Sequence, residues 1–164
     1  MTDSAKLGVT FDRSPGLGRH PFVAVFMGFG NVPAVRGVLG RATETILSGL
    51  DVDVQDTGAY LHVDDDAGTI VVDRAYLRSA AEVYLYLDVI HELVHIRQLN
   101  QGLDLFDHNY SYVERPTELE AYRVGVKEAR RIGLSDEEIA AYLKVEWLSE
   151  HDFGRFLEIL GIRP

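Results

Sequence analysis

The longest closely spaced run of apolar residues in the chain is "AEVYLYLDVIHELVHIRQLNQ", just before Gly102, and it has no polar side. It predicts a helix apolar on every face, and such a helix belongs in the middle of a domain. Ser79, with Glu82 three positions on, is a capping-box signature for its start. Upstream the period changes. "DVDVQDTGAYLHVDDDAGTIVVDRAYL" alternates and turns as strands do, and residues 64–68 predict the loop of an antiparallel hairpin between "AYLHV" and "TIVVD". Nearer the start, "PFVAVFMGF" (21–29) is a β-branched and aromatic run that predicts a buried strand. Residues 1–20, with Gly8, Pro15, Gly16 and Gly18, predict an irregular arm carrying a short strand at 9–11.

Asn31 and Pro33 form a cap and first turn for a helix running to about Leu47, with Gly49 as its stop and Gly37 and Gly40 as weak points inside it. After Gly102, "DLFDHNYSYVERP" reads as a loop. Thr117 then caps a helix from Glu118 to Arg131, ended by Gly133. Ser135 caps "DEEIAAYLKVEWL", and a last short helix covers 152–160. Strands come first and helices later, which predicts an α+β fold. A chain of 164 residues is most economically a single domain, 1–164, with a real hydrophobic core.

Composition narrows the function classes. The chain has no cysteine, so disulfides, thiol nucleophiles and cysteine-ligated zinc are excluded. Its 16 basic residues form no run against 26 acidic ones, and a net charge of −10 argues against nucleic acid as a partner. No stretch approaches a membrane span and the first residues have no apolar signal region, so the expectation is a soluble, cytoplasmic protein with no membrane partner.

The chemistry lies inside the apolar helix, in "HELVH". His91 and His95 are four apart, so both imidazoles project from one helix face about a turn apart and can grip one ion. Neutral imidazole suits zinc. Glu92, beside the first ligand, can reach a metal-bound water and take its proton during attack on a carbonyl. The alternative is a pair of core histidines hydrogen-bonded to backbone or tyrosine neighbours. A catalytic zinc needs a third protein ligand. Gln98 and Gln101 occupy the Gly and third-His positions of the metzincin pattern, which excludes that form. "RPTELEAYRV", at the start of the next helix, offers Glu118 and Glu120, which cannot face the same way on a helix. Either could instead be a solvated carboxylate at a helix N-terminus.

The combination "HELVH … TELEAY" resembles the gluzincin clan of zinc peptidases. In that clan a later glutamate is the third ligand, commonly in a Glu-x-x-Ala/Ser-Asp/Asn pattern, matched here by Glu118, Leu119, Glu120 and Ala121. The size and layout resemble the compact minimal gluzincins. The resemblance implies a zincin-like fold, Zn2+ held by His91, His95 and Glu118, Glu92 as general base, and a peptide or protein substrate. The strand at Thr69–Asp73 would then lie at the cleft edge, aligning an extended peptide. One departure stands out. Tyr122 occupies a position that usually carries an acidic or amide residue bonded to a zinc-binding histidine. Asp88, one turn before Glu92, is another candidate for that role or a helix-surface carboxylate.

A donor for the oxyanion has several candidates, Tyr110, Tyr112, His108 and His151, none in a recognisable motif. A metal-binding regulatory or partner-binding protein with the same fold and little proteolysis is the alternative function. Oligomeric state is left open. Two other motifs fail. "GFGNVP" sits where a dinucleotide fingerprint would, but Pro33 holds the third glycine position. "DVDVQDTGAYLH" begins like a calcium loop, but Asp56 replaces its glycine and His62 its closing glutamate.

Overall fold

Thr69–Asp73 (β6) is, among the described residues, the one strand buried at every position, and the sheet is arranged around it. The computed structural model describes residues 6–164, so the first five positions of the expected arm lie outside the described residues. β6 pairs in parallel with Asp51–Gln55 (β4), with Val52 opposite Ile70 and Val54 opposite Val72. On its other side it pairs antiparallel with Leu61–Asp64 (β5), as the hairpin pattern predicts. The turn between them closes on Gly68 (φ +67°). The first of its three consecutive aspartates is used locally, since Asp64 Oδ1 accepts from the amides of Asp66 and Ala67. Gly18–Pro21 (β2) adds antiparallel to β4, giving the order β2-β4-β6-β5. β6 therefore lies inside the sheet. The two edge strands are β2 and β5, and it is β5 that lines the cleft, which corrects the expectation that Thr69–Asp73 borders it.

The N-terminal part departs from its expected form. Thr10–Phe11 (β1) is a strand, within the predicted stretch, but residues 21–29 are not. Phe22–Val25 (α1) is a helical turn followed by the two-residue strand Phe26–Met27 (β3), which pairs with β1. Phe22, Phe26 and Phe29 follow helical rather than strand spacing, and their rings meet edge-on at 5.4–6.2 Å between centroids. Gly28 (φ +88°) lets the chain turn there, and a Cβ at that position would stand 2.6 Å from the Gly8 carbonyl oxygen. The helix expected from Pro33 to Leu47 is two helices, Pro33–Leu39 (α2) and Thr43–Gly49 (α3). Gly40, at φ +60° and ψ −137°, breaks it.

Arg74–Ser79 (α4) follows β6 directly, where strand character was expected. Asp73 caps it by accepting from the Tyr76 amide, and it also accepts from Thr57 and Gly58. Ser79 ends α4 and donates to the Ala75 carbonyl, so it does not cap the next helix as its spacing with Glu82 suggests. That helix, Glu82–Asn100 (α5), buries twelve of its nineteen residues. Pro116–Arg131 (α6) starts on its proline, with Thr117 donating to the Leu105 carbonyl instead of capping. α6 packs along α5, and Gly133 ends it (φ +99°). Asp136–Leu143 (α7) has the capping box of Ser135 and Glu138, but stops five residues before Leu148. Glu150–Leu160 (α8), capped by Ser149, completes the chain. The fold is α+β, with a mixed four-stranded sheet and the α5/α6 pair built on one hydrophobic cluster. No helix among the described residues is long and apolar enough to cross a membrane.

Candidate metal centre

Two positions one turn apart on α5 and one in the first turn of α6 bring three donor atoms together. His95 Nε2 lies 3.0 Å from His91 Nε2, His91 Nε2 lies 3.1 Å from Glu118 Oε2, and His95 Nε2 lies 3.4 Å from the same oxygen. All three side chains are buried. Donors about 2.0–2.1 Å from a tetrahedral ion stand about 3.3–3.4 Å apart, so this triangle needs only a slight opening to hold one. His91, His95 and Glu118 can thus hold a metal ion.

The electrostatics favour a cation at that point. Burial opposes charge on His95, but the hydrogen bond to Glu118 and the charges of Glu92 and Glu118 outweigh it, carrying its pKa up to about 9. Burial lowers His91 below the usual imidazole range, with Glu118 pulling the other way. Burial alone would raise Glu118, yet hydrogen bonds from both histidines hold it well below the ordinary carboxylate range. A proton on His95 thus occupies the electrostatic place of a cation.

Glu120 points elsewhere. It pairs with Arg97 and accepts from Gln98 Nε2 at 2.8 Å, so Glu118 alone of the two glutamates reaches the imidazoles. Gln98 is the contact that sequence reasoning overlooked, although it sits three positions after His95 on the same helix. Its Oε1 lies 2.8 Å from His95 Nδ1, and its Nε2 donates to the Thr117 carbonyl on α6. Gln98 therefore does what Tyr122 and Asp88 were weighed for. Tyr122 packs edge-on against the His91 ring, 4.3 Å between centroids, and pairs its hydroxyl with that of Tyr112 at 2.5 Å. Asp88 is neither a ligand partner nor a surface carboxylate; it accepts hydrogen bonds from Tyr76 and Tyr142.

Glu92 is buried beside the triad. Its Oε2 has no hydrogen-bond partner, and burial pushes its pKa up to about 8. The group opens on a cleft of about 440 Å³. One wall is the approach to β5 and β5 itself, residues 59–63; a second is 141–145 with Trp147, where the chain leaves α7. Tyr60 donates to Glu146 at 2.8 Å, joining the two walls. The segment between α5 and α6 supplies Leu105, Phe106, Tyr112 and Arg115. Of the four expected oxyanion donors only Tyr112 lines this cleft; Tyr110, His108 and His151 do not. Trp147, an exposed apolar side chain at the mouth, stands edge-on to Tyr112 at 4.5 Å.

Comparisons with protein-family models, with curated proteins and with solved structures find no match for this chain.

Proposed function

We propose that the protein is a zinc-dependent peptidase, with His91, His95 and Glu118 as the metal ligands and Glu92 as general base. The observation that carries this reading is the convergence of two Nε2 atoms and one carboxylate oxygen within 3.4 Å, with the unpartnered Glu92 carboxylate beside them. Bound zinc would supply Lewis acidity, lowering the pKa of water and polarising a carbonyl. Glu92 takes the proton of the attacking water and hands it to the leaving amine. Its burial favours this role, because a desolvated carboxylate is a stronger base than one in water. Gln98 holds His95 so that Nε2 faces the other donors. The unpaired edge of β5 provides main-chain hydrogen-bonding groups for an extended peptide, and the aromatic residues of the cleft provide apolar contact. The resemblance of "HELVH … TELEAY" to gluzincins supports both zinc and peptide as the choices.

The test combines metal content with one substitution. Purified protein is expected to take up zinc at one ion per chain and to cut an unstructured protein or a peptide library. Glu92→Gln is expected to keep the ion and lose hydrolysis. Failure to take up zinc would refute the metal centre, and hydrolysis retained by the variant would refute the general base. Stoichiometric zinc with no hydrolysis by the unaltered protein would instead favour a metal-binding regulatory protein.

A further inference from the structure

The cleft contains a carboxylate that the proposed reaction leaves unused. Asp88 lies one helical turn before Glu92 and lines the same cleft. Its Oδ2 accepts from Tyr76 on α4 and its Oδ1 from Tyr142 on α7, both at 2.5 Å. Each of these rings is backed edge-on by another tyrosine, Tyr60 against Tyr76 and Tyr84 against Tyr142, at 5.0 Å between centroids in both pairs. All four rings line the cleft.

The negative charge here has no counter-ion. Among the described residues the ion pairs lie elsewhere, and no Lys, Arg or His reaches Asp88. Of the cationic residues on the cleft lining, His95 is paired with Glu118, Arg115 is engaged with the Asp107 carbonyl and the Tyr112 ring, and Lys144 is exposed to solvent. Burial raises the Asp88 pKa to about 6, with only the two phenols acting in the opposite direction. A neutral apolar group placed here would further desolvate a charge without answering it, and an acidic group would be repelled. A cation would gain a charge-assisted hydrogen bond to the free lone pairs of the carboxylate together with the faces of tyrosine rings. The net charge of −10 also attracts cations over longer range.

We propose that Asp88, with Tyr60, Tyr76, Tyr84 and Tyr142, forms a subsite that selects a positively charged group of the substrate, either a Lys or Arg side chain or a free amino terminus. The proposal rests on the reading that this cleft receives peptides.

The experiment is calorimetric titration of the zinc-loaded Glu92→Gln protein with three heptapeptides built on alanine and serine. One carries a central Arg and is blocked at both ends, the second has citrulline in its place, and the third has neither but a free amino terminus. The Arg peptide, the free-amine peptide or both are expected to bind at least about tenfold more tightly than the citrulline peptide, and which of them does so identifies the source of the cation. Adding Asp88→Asn is expected to reduce that preference below about twofold. Tyr84→Leu, which touches neither hydrogen bond of Asp88, is expected to reduce it by about threefold through loss of a ring face, and serves if the Asn variant does not fold. Equal affinity for all three peptides, no binding of any, or a preference that both variants leave intact overturns the proposal. Hydrolysis of the same peptides by the unaltered zinc-loaded protein separates the two readings. Charge-selective binding without cleavage sinks the peptidase and leaves the subsite. Cleavage of charged and neutral peptides at equal kcat/KM sinks the subsite and leaves the peptidase.

Discussion

Gln98 determines which nitrogen of His95 faces the other donors. Its amide nitrogen is committed to the Thr117 carbonyl and Glu120, so its oxygen must face His95 and receives the Nδ1 proton at 2.8 Å. Nε2 is thereby left as the atom that faces His91 and Glu118. Replacing Gln98 with Leu is expected to weaken zinc binding by about 10–100-fold, as for other partners of metal-binding histidines. Competition with a chromogenic chelator measures this, and unchanged affinity would remove Gln98 from the site.

The two glutamates of "TELEAY" should separate cleanly. Glu118→Gln replaces an anionic ligand with a neutral amide and is expected to abolish stoichiometric zinc. Glu120→Gln loses only a partly exposed ion pair with Arg97 and weakens the anchor of Gln98, so it should keep the ion and cost about 1 kcal/mol or less of stability. Zinc content of the two purified variants, with chemical unfolding of the second, distinguishes them.

Zinc uptake should release protons. His95 holds a proton up to about pH 9 in the metal-free protein, and its lone pair must be freed to bind the ion. Apparent zinc affinity is therefore expected to rise by at least about tenfold per pH unit between pH 6 and 8, and to level off above pH 9. Titrations in buffers of different ionisation enthalpy should count between about one and two protons released per zinc at pH 7, one from His95 and the remainder from Glu92 as the ion ionises its buried carboxyl. A pH-independent affinity over that range would contradict the charge state assigned to His95.

Asp88 should leave a mark on stability as well as on specificity. Its folded pKa of about 6 lies above the unfolded value, so the folded state binds the extra proton. The stability it contributes is present in full below about pH 4 and is lost as pH rises through about 6. Asn accepts from one phenol through Oδ1 and donates to the oxygen of the other through Nδ2, and it has no charge to desolvate. Asp88→Asn is thus expected to become more stable relative to the unaltered protein on going from pH 4.5 to pH 7.5, by about 1 kcal/mol or more. Thermal unfolding of both proteins across that range checks the sign, and a constant difference refutes it.

The central helix, the hairpin and the α5/α6 pair were legible because periodicity and turn residues carry them locally. The same is true of His91, His95 and Glu118, whose helical spacing and position at the next helix start brought them together. Gln98 carries a signal of its own, three residues from His95 on the same helix, but in the metzincin pattern it stands only as a missing glycine. Residues 21–29 looked like a strand by composition, while the spacing of Phe22, Phe26 and Phe29 already favoured a helical turn. The assignment of Thr69–Asp73 to the cleft edge failed for a different reason. Which strand ends at the edge depends on β4 pairing with β6 across the intervening β5, a long-range choice with no local pattern. Tyr76 and Tyr142 were equally silent, because only the tertiary fold brings them to Asp88.

The segment joining α5 to α6 has two duties at once. It connects the two helices that bear His91, His95 and Glu118, and through Leu105, Phe106, Tyr112 and Arg115 it forms part of the cleft wall. On the proposed reading, closing the metal centre and ordering that wall draw on the same conformational entropy. Thermodynamic reciprocity then applies: if zinc strengthens the hold on a peptide by some factor, the peptide strengthens the hold on zinc by that same factor. Metal retention becomes a reporter of occupancy, and a chain with an empty cleft is the one that surrenders its ion first.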